Sequence, residues 1–374
     1  MTEQQQGQQA QENPAFLTQQ LITCIGNKRA LIPYIEREIE AIREELGGRR
    51  LVCADLFAGS GVVSRMLKRH ARCLVVADLE EYSCLVNRCY LTNEATFPRQ
   101  AWHELSERIE RCAASHKVEG IISQNYAPQD DAHIQKGERV FYTHENALLI
   151  DTYRTLIDQL VPAPLQHYFL APLVTSASVH ANTSGVFKGF YKDKRTGVGC
   201  FGGSGRDALH RITGKIEMVE PVLSAFDSDV QVIRGDAVSL APAIGGVDVA
   251  YLDPPYNQHP YGSNYFMLNL IIKNRLDVPV SRVSGITQDW RRSAFNNPKT
   301  ALPSLEAVVS SVDAKFVIVS YNSEGFISLD DMTAMLTRYG KVATVAIPYN
   351  TFRGSRNLHS RSIHVKEYLF VLRK

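Results

Sequence analysis

Residues 51–78 read LVCADLFAGSGVVSRMLKRHARCLVVAD, and this stretch predicts the fold. The apolar run 51–57 is a short strand, Ala58-Gly59-Ser60-Gly61 is a tight turn, and residues 62–70 are a helix. A second buried strand covers residues 73–77 and ends on Asp78. Short apolar strands that alternate with helices are typical of a parallel sheet with helices on both faces, so we expect a doubly wound α/β fold.

The same alternation continues on both sides of this stretch. A helical face begins at Ile32, a further helix covers residues 82–92, and later strands are expected at residues 247–252, 315–320, 342–347 and 368–372. Residues 123–227 interrupt the pattern with few clean strands. We therefore expect an α/β domain made of residues 14–122 and 228–374, an insert at residues 123–227, and a flexible Gln-rich tail at residues 1–13.

The composition restricts the class of protein. The chain has 374 residues, of which 44% are apolar and 21% charged, which suits a folded protein with a sizeable core. No uninterrupted apolar run approaches about 18 residues, and the first residues lack the basic and apolar parts of a secretion signal. The seven cysteines form no C-x-x-C pair, which predicts reduced thiols and no structural zinc site. We expect a cytoplasmic protein that makes no membrane contact.

The glycine turn after the first strand predicts a nucleoside site. Gly59 and Gly61 allow a sharp turn and a close approach of the backbone to a ligand. Asp78 follows about 20 residues later, at a position where an acid commonly binds a ribose diol. The turn lacks the third glycine of a dinucleotide motif and has no Walker lysine, so a nucleoside without pyrophosphate fits better, such as S-adenosylmethionine. A purely structural turn is the alternative.

Asp253-Pro254-Pro255-Tyr256 directly follows the strand predicted at residues 247–252. The two prolines stop the strand and remove two backbone donors, which leaves carbonyl oxygens as acceptors. The amino group of adenine is a poor nucleophile, because its lone pair is delocalised into the ring. Acceptors at the Asp253 carboxylate and the Pro254 carbonyl would pull this nitrogen towards tetrahedral geometry, while Tyr256 stacks on the base. A proline-stopped turn with an exposed tyrosine is the alternative.

These motifs together resemble the adenine-specific DNA methyltransferases of the alpha group, the Dam-like and FokI-type modification methylases. The resemblance runs from about residue 21 to the end, in the order cofactor loop, recognition insert, catalytic motif. It includes the lysine motif at residues 25–29, Tyr261-Gly262-Ser263-Asn264-Tyr265 and Ser320-Tyr321-Asn322. Cys24 stands where the family usually has an aromatic residue. The resemblance implies a seven-stranded, mostly parallel Rossmann-like sheet.

The resemblance also implies roles for individual residues. Asp253, Pro254, Pro255 and Tyr256 are the expected catalytic residues. The residues expected to bind S-adenosylmethionine are Lys28, Asp55, Phe57, Gly59, Gly61, Asp78, Asp236 and Asp253.

The net charge of the whole chain is only +2, so attraction to DNA has to come from local clusters of basic residues. Two basic stretches are therefore expected to contact DNA. The insert interleaves lysines and arginines with Phe187, Phe190, Tyr191 and Phe201, and its glycines suggest a mobile loop that becomes ordered on DNA. A solvated basic loop is the alternative. The residues expected to contact DNA are Lys188, Lys192, Lys194, Arg195, Tyr349, Arg353 and Arg356.

The resulting hypothesis is a methyltransferase that acts on the adenine amino group in a specific duplex DNA sequence by base flipping, as a restriction-modification methylase. The hypothesis includes a cognate restriction endonuclease as partner and a protein that is a monomer or a weak dimer. The same chemistry on cytosine or RNA, and a non-catalytic DNA-binding specificity partner, stay open. A carbon-5 cytosine enzyme is excluded, because no cysteine follows a proline. Methyl transfer from a sulfonium requires no metal, and none is expected.

Overall fold

The computed structural model describes residues 12–203, 205–206, 208–350 and 364–374. One sheet is built from β1 (Leu51–Asp55), β2 (Ala71–Asp78), β3 (Asp229–Arg234), β4 (Val247–Leu252), β5 (Ala314–Asn322), β6 (Lys341–Asn350) and β7 (His364–Arg373). The strand order is β3-β2-β1-β4-β5-β7-β6. Neighbouring strands from β3 to β5 are parallel, whereas β7 is antiparallel to both β5 and β6. The predicted seven-stranded, mostly parallel sheet is confirmed.

Helices separate most successive strands of the described chain, and six of them follow one another between β2 and β3. The helices are α1 (Pro14–Thr18), α2 (Ile32–Glu45), α3 (Val62–His70), α4 (Glu81–Tyr90), α5 (Arg99–Ser115), α6 (Ile121–Tyr126), α7 (His144–Leu160), α8 (His167–Val179), α9 (Leu209–Thr213), α10 (Ala237–Leu240), α11 (Tyr261–Asn264), α12 (Phe266–Lys273), α13 (Pro298–Ser311) and α14 (Leu329–Thr337). None of these described helices has the length and apolar character needed to cross a bilayer.

Each face of the sheet buries its own apolar cluster. On one face, Ile35, Ile39 and Ile42 of α2 pack with β1 and α3, as their spacing of three and four residues predicts. On the other face, α10, α13 and α14 pack against β4 and β5. Both faces are therefore covered by helices. This explains why β4 is buried along its whole length.

The segment predicted as an insert shares its core with the helices around it. Its long helices α7 and α8 belong to the same apolar cluster as α4, α5 and α12. These helices were not predicted from the sequence. In α8 the apolar positions surround the whole helix and show no amphipathic period. The domain boundaries at residues 122 and 228 stay a prediction.

One local expectation was wrong. The first strand ends at Asp55, because residues 56–61 already form the turn. The mobility expected for the glycine-containing loop of the insert stays a prediction. Residues 191–200 form a hairpin, and a Cβ atom at Gly199 would lie 2.3 Å from Val140.

Candidate active site

A cavity opens at the carboxyl ends of β1, β2 and β4, and it measures about 910 Å³ when its solvent-open part is included. Strand order reverses between β1 and β4, which is where open α/β sheets bind ligands. Most of the residues expected to bind the cofactor line it: Lys28, Asp55, Phe57, Gly59, Asp78, Asp236 and Asp253. The cavity therefore brings together residues that are more than 200 positions apart in the sequence.

The glycine turn holds its shape through hydrogen bonds to Asp55. One carboxylate oxygen of Asp55 accepts from the Ser64 hydroxyl at 2.6 Å, and the other accepts from the Phe57 amide at 3.3 Å. Burial raises the pKa of Asp55 to about 7. Asp55 thus shapes the turn as well as lining the cavity.

Gly61 lies behind the cavity wall, although it was predicted to contact the cofactor. It begins α3 with φ +76°, and a Cβ atom there would lie 2.4 Å from Oδ1 of Asn87. The space on that side is filled by α4, so Gly61 acts on the cavity through the shape of the turn. Its contact with a cofactor stays a prediction.

Two acids lie at the end of β2, at the edge of the cavity. Asp78 accepts hydrogen bonds from the amides of Gly59 (2.7 Å) and Glu80 (2.8 Å), and burial raises its pKa. Glu80 also lines the cavity and accepts from the Asn269 amide group at 2.8 Å. Burial raises the pKa of Glu80 to about 7. Glu80 was not predicted from the sequence, although it lies only two residues beyond the predicted ribose acid, Asp78.

Asp253 lies at the end of β4 and pairs with Lys28. The Lys28 ammonium is 3.0 Å from Oδ1 of Asp253 and 2.7 Å from Oε1 of Glu367. Within the described residues, Oδ2 of Asp253 has no hydrogen-bond partner. Lys28 is 4% exposed and Glu367 is 2% exposed, so the three charges form a largely dry group.

Burial raises the pKa of the Asp253 carboxyl to about 6, against the opposing effect of the Lys28 charge. Burial by itself would lower the pKa of Lys28, but the carboxylates of Asp253 and Glu367 raise the pKa of Lys28 well above its usual value. At neutral pH the group therefore contains one ammonium and an ionised Asp253.

The rest of the Asp-Pro-Pro-Tyr motif borders this charged group. Pro254 is buried and Pro255 lines the cavity. The Tyr256 ring is part-exposed, lies 5.9 Å from the Lys28 ammonium and meets the Tyr321 ring edge-on. A Cβ atom at Gly26 would lie 3.2 Å from the Tyr256 hydroxyl, so only glycine leaves this approach unobstructed.

The turn that carries Lys28 is tied to the segment after the motif. The Ile25 amide donates to the Tyr265 hydroxyl at 2.8 Å. Tyr82 and Tyr261 line the cavity beside Cys24, the position where the resembling family usually has an aromatic residue. Neighbouring helices thus supply the aromatic surface that residue 24 does not.

Asp236 caps the short helix α10, and its carboxylate accepts from the Val238 amide at 2.9 Å. It also lines the cavity, on the side formed by the turn after β3. Asp236 was predicted from the sequence, but the strand before it was not, because half-buried edge strands such as β3 have little continuous apolar character.

Of the basic residues predicted to bind DNA, Lys188 contacts the segment that follows Asp253-Pro254-Pro255-Tyr256. Its ammonium is 3.3 Å from Nδ1 of His259, and the preceding Phe187 amide donates to the Asn264 carbonyl at 2.7 Å. Lys192 lies over the Phe190 ring, and Lys194 and Arg195 are exposed in the hairpin turn. Arg353 and Arg356 lie outside the described residues, as does the side chain of Tyr349.

The charged side chains that line the cavity suit S-adenosylmethionine. Carboxylates accept hydrogen bonds from a ribose diol and attract a cationic sulfonium, whereas they repel a phosphate. The acids that line the cavity are Asp55, Asp78, Glu80, Asp236 and Asp253, against the bases Lys28 and Arg291.

Comparisons with known proteins agree with this chemistry. The family profile described as D12 class N6 adenine-specific DNA methyltransferase matches residues 25–335. Type II methyltransferase M.NlaIII of Neisseria lactamica is 30% identical over 358 residues, which cover 94% of this chain and 98% of that protein. M.CviAII of Paramecium bursaria Chlorella virus 1 is 28% identical, with the same coverage of both chains. M.FokI of Planomicrobium okeanokoites is 24% identical over 94% of this chain and 52% of its own length.

Proposed function

Because the chain belongs to the D12 class of N6 adenine-specific DNA methyltransferases, we propose that Asp253, Pro254 and Tyr256 hold a flipped adenine for methylation. The resemblance expected from the motifs is confirmed, as are the activity on adenine in DNA and the cofactor S-adenosylmethionine. The proposal concerns the residues that perform this activity and the DNA that they recognise.

The chemistry follows from the acceptors at the end of β4. When bound, S-adenosylmethionine supplies an electrophilic methyl group. Oδ2 of Asp253 and the Pro254 carbonyl accept the two amino hydrogens of adenine, which draws the nitrogen lone pair out of the ring. The new N–C bond replaces the S–C bond, and Asp253 accepts the proton that the amino group then loses. Tyr256 stacks on the base, a contact worth about 1–3 kcal/mol in other proteins.

The observation that supports this proposal is the Asp253 carboxylate, which lines the cavity with one oxygen bound to Lys28 and the other without a partner among the described residues. The test is to sequence modified bases in DNA from cells that express the protein. We expect N6-methyladenine at one recurring duplex sequence. Methylcytosine alone, or modification of RNA alone, would contradict the proposal.

Methyl transfer is expected to weaken as the pH falls through about 6. The raised pKa of Asp253 means that its acceptor form is complete above this value and is lost below it. The measurement is kcat from about pH 5 to about pH 8, with both substrates saturating so that titration of Asp55 or Glu80 does not act through cofactor affinity. A rate that stays constant down to about pH 5 would contradict this role.

Lys188 is proposed to contact a DNA phosphate beside the flipped base. Burial and the nearby charge of Arg292 both lower the pKa of Lys188. Burial and the nearby charge of Lys188 both lower the pKa of His259. Cations that face one another in this way favour an anion between them.

The Lys188→Ala variant is therefore expected to bind duplex DNA more weakly, with a salt slope of log K about 0.9 smaller. The measurement is DNA affinity at several salt concentrations. Lys341→Ala is the control, because Lys341 is exposed at the first residue of β6, which is an edge strand of the sheet. An unchanged slope in Lys188→Ala would show that the lysine makes no phosphate contact.

The wider setting is also proposed. The named relatives are Type II methyltransferases, which supports pairing with a cognate restriction endonuclease. We propose a cytoplasmic protein that acts as a monomer or weak dimer. In it, residues 14–122 and 228–374 carry the methyl transfer and residues 123–227 read the DNA.

A further inference from the structure

Glu367 is a buried acid that the sequence analysis did not identify. It lies on β7 between Val365 and Leu369 on the core-facing side of the strand, where an apolar residue is the usual choice. Burying a carboxylate is costly unless hydrogen bonds replace its water. Its placement therefore calls for an explanation beyond packing.

Three side chains donate hydrogen bonds to the Glu367 carboxylate. Oε1 accepts from the Lys28 ammonium at 2.7 Å and from the Ser320 hydroxyl at 3.0 Å. Oε2 accepts from the Asn322 amide group at 3.1 Å. Ser320 and Asn322 lie on the adjacent strand β5, so the sheet itself holds the carboxylate in place.

This arrangement places two carboxylates on one ammonium. Lys28 lies nearer to Glu367 (2.7 Å) than to Asp253 (3.0 Å), and all three charges are at least four-fifths buried. A lysine bound to Asp253 alone would neutralise it and weaken it as an acceptor. A lysine shared with a second carboxylate fixes the orientation of Asp253 but leaves the three-charge group with a net charge of −1.

We propose that Glu367 is a positioning residue for methyl transfer, which holds Lys28 so that Asp253 keeps one oxygen fixed and its other oxygen available as a strong acceptor. The inference rests on the proposed role of Asp253. Glu367 acts through Lys28 and does not contact the adenine.

The charge of Glu367 changes the pKa of Asp253 in a defined direction. The Glu367 charge helps burial to raise the pKa of Asp253, so its removal lowers that pKa. Lys28, which Glu367 holds, is then left to Asp253 alone, and its positive charge acts in the same direction by lowering the pKa of Asp253. The other titratable groups that face this centre are not bonded to Glu367: Cys24, Asp55, Tyr251, Tyr256 and Tyr261.

The test is Glu367→Gln in the full-length protein. We expect kcat at neutral pH to fall by about tenfold or more, as for loss of a group that orients a catalytic residue. S-adenosylmethionine affinity should stay near the wild-type value, and the acidic limb of the kcat profile should move to lower pH. Glu306→Gln is the matched control, because Glu306 likewise combines a salt bridge, to Arg338, with a side-chain hydrogen bond, from Tyr339. It lies on α13 outside the cavity lining.

A purely structural role for Glu367 would lower thermal stability and leave both kcat and its acidic limb unchanged, and that result would overturn the proposal. If Glu367→Gln does not fold, Glu367→Asp retains the charge but draws it back from Lys28. It should also lower kcat, and unchanged kcat in a folded Glu367→Asp protein would overturn the proposal equally.

An activity-independent measurement separates this inference from the proposed function. In protein labelled with ¹³C at aspartate carboxyls, the Asp253 signal is assigned by its loss in Asp253→Asn. Its titration should occur at lower pH in Glu367→Gln than in the wild type. An unchanged titration would refute the coupling even if the wild type methylates adenine, and a shift would support it even if the DNA substrate proves to be different.

Discussion

The Asp253→Ala variant is expected to lose methyl transfer by about 10²–10³-fold or more, while it still binds S-adenosylmethionine. The carboxylate is the charged member of the two acceptors that we propose polarise the amino group, and Asp253 lines the cavity. Loss of one such preorganised group in a dry site raises the barrier by about 3–4 kcal/mol in other enzymes. Binding should survive, because the glycine turn and the acids after β2 are left intact.

The fold should also survive this change. Lys28 keeps its 2.7 Å partner Glu367 when Asp253 is removed, so no buried charge is left alone. The measurements are single-turnover methyl transfer to duplex DNA and thermal stabilisation by S-adenosylmethionine.

Asp229→Ala provides the control for Asp253→Ala, since Asp229 is an exposed acid at the first residue of β3. It should transfer methyl groups at the wild-type rate. Near-normal turnover in Asp253→Ala would remove Asp253 from the mechanism. Loss of cofactor stabilisation in that variant would instead assign the carboxylate to cofactor binding.

The second large effect is expected for Gly61→Ala. Its φ of +76° alone strains an L-residue, at a cost of about 1–2 kcal/mol. The new methyl group would also lie 2.4 Å from Oδ1 of Asn87. Asn87 is 1% exposed and donates to the Ser83 carbonyl at 2.9 Å, so it has little room to withdraw. Overpacking of this kind costs a further 1–3 kcal/mol, roughly.

Relief of this clash must displace the turn that lines the cavity. We therefore expect both a lower unfolding temperature and S-adenosylmethionine affinity about tenfold weaker or worse, which corresponds to about 1.4 kcal/mol. Calorimetric titration and thermal unfolding measure the two effects separately.

Gly47→Ala separates the two causes. Gly47 has φ +86°, but nothing lies within 4 Å of its Cβ position, so this variant has the backbone strain without the clash. It should lose some stability and keep its cofactor affinity. Adding Asn87→Ala to Gly61→Ala should restore part of the affinity. If Gly61→Ala binds the cofactor as tightly as Gly47→Ala, the turn is not sensitive to its packing on α4.

Several elements were predictable from local sequence. The helix at residues 62–70 and the strand at residues 247–252 have the bounds that the sequence indicated. Both are short segments whose apolar pattern and flanking glycines or prolines determine their conformation locally. The insert was less predictable, because α8 is apolar on all sides and its burial depends on packing with α4 and α12.

The candidate site divides in the same way. The glycine turn, Asp78 and Asp253-Pro254-Pro255-Tyr256 were recognisable because each is a contiguous motif whose residue types suit the chemistry at the end of a strand. The pairing of Lys28 with Glu367 was not, since 339 positions separate them and only the sheet order brings β7 near the first turn. A lone glutamate between apolar neighbours on β7 was the one local sign.

The amino-acid sequence by itself thus determined the strand–turn–helix pattern, the cofactor turn and the acceptor motif, because these depend on backbone preferences and side-chain chemistry within a few residues. Tertiary structure decided that Lys28 is shared by two carboxylates, that Gly61 packs on Asn87, and that the insert joins the core of its neighbours. Burial and charge pairing arise between distant segments, so they exist only once the sheet has assembled.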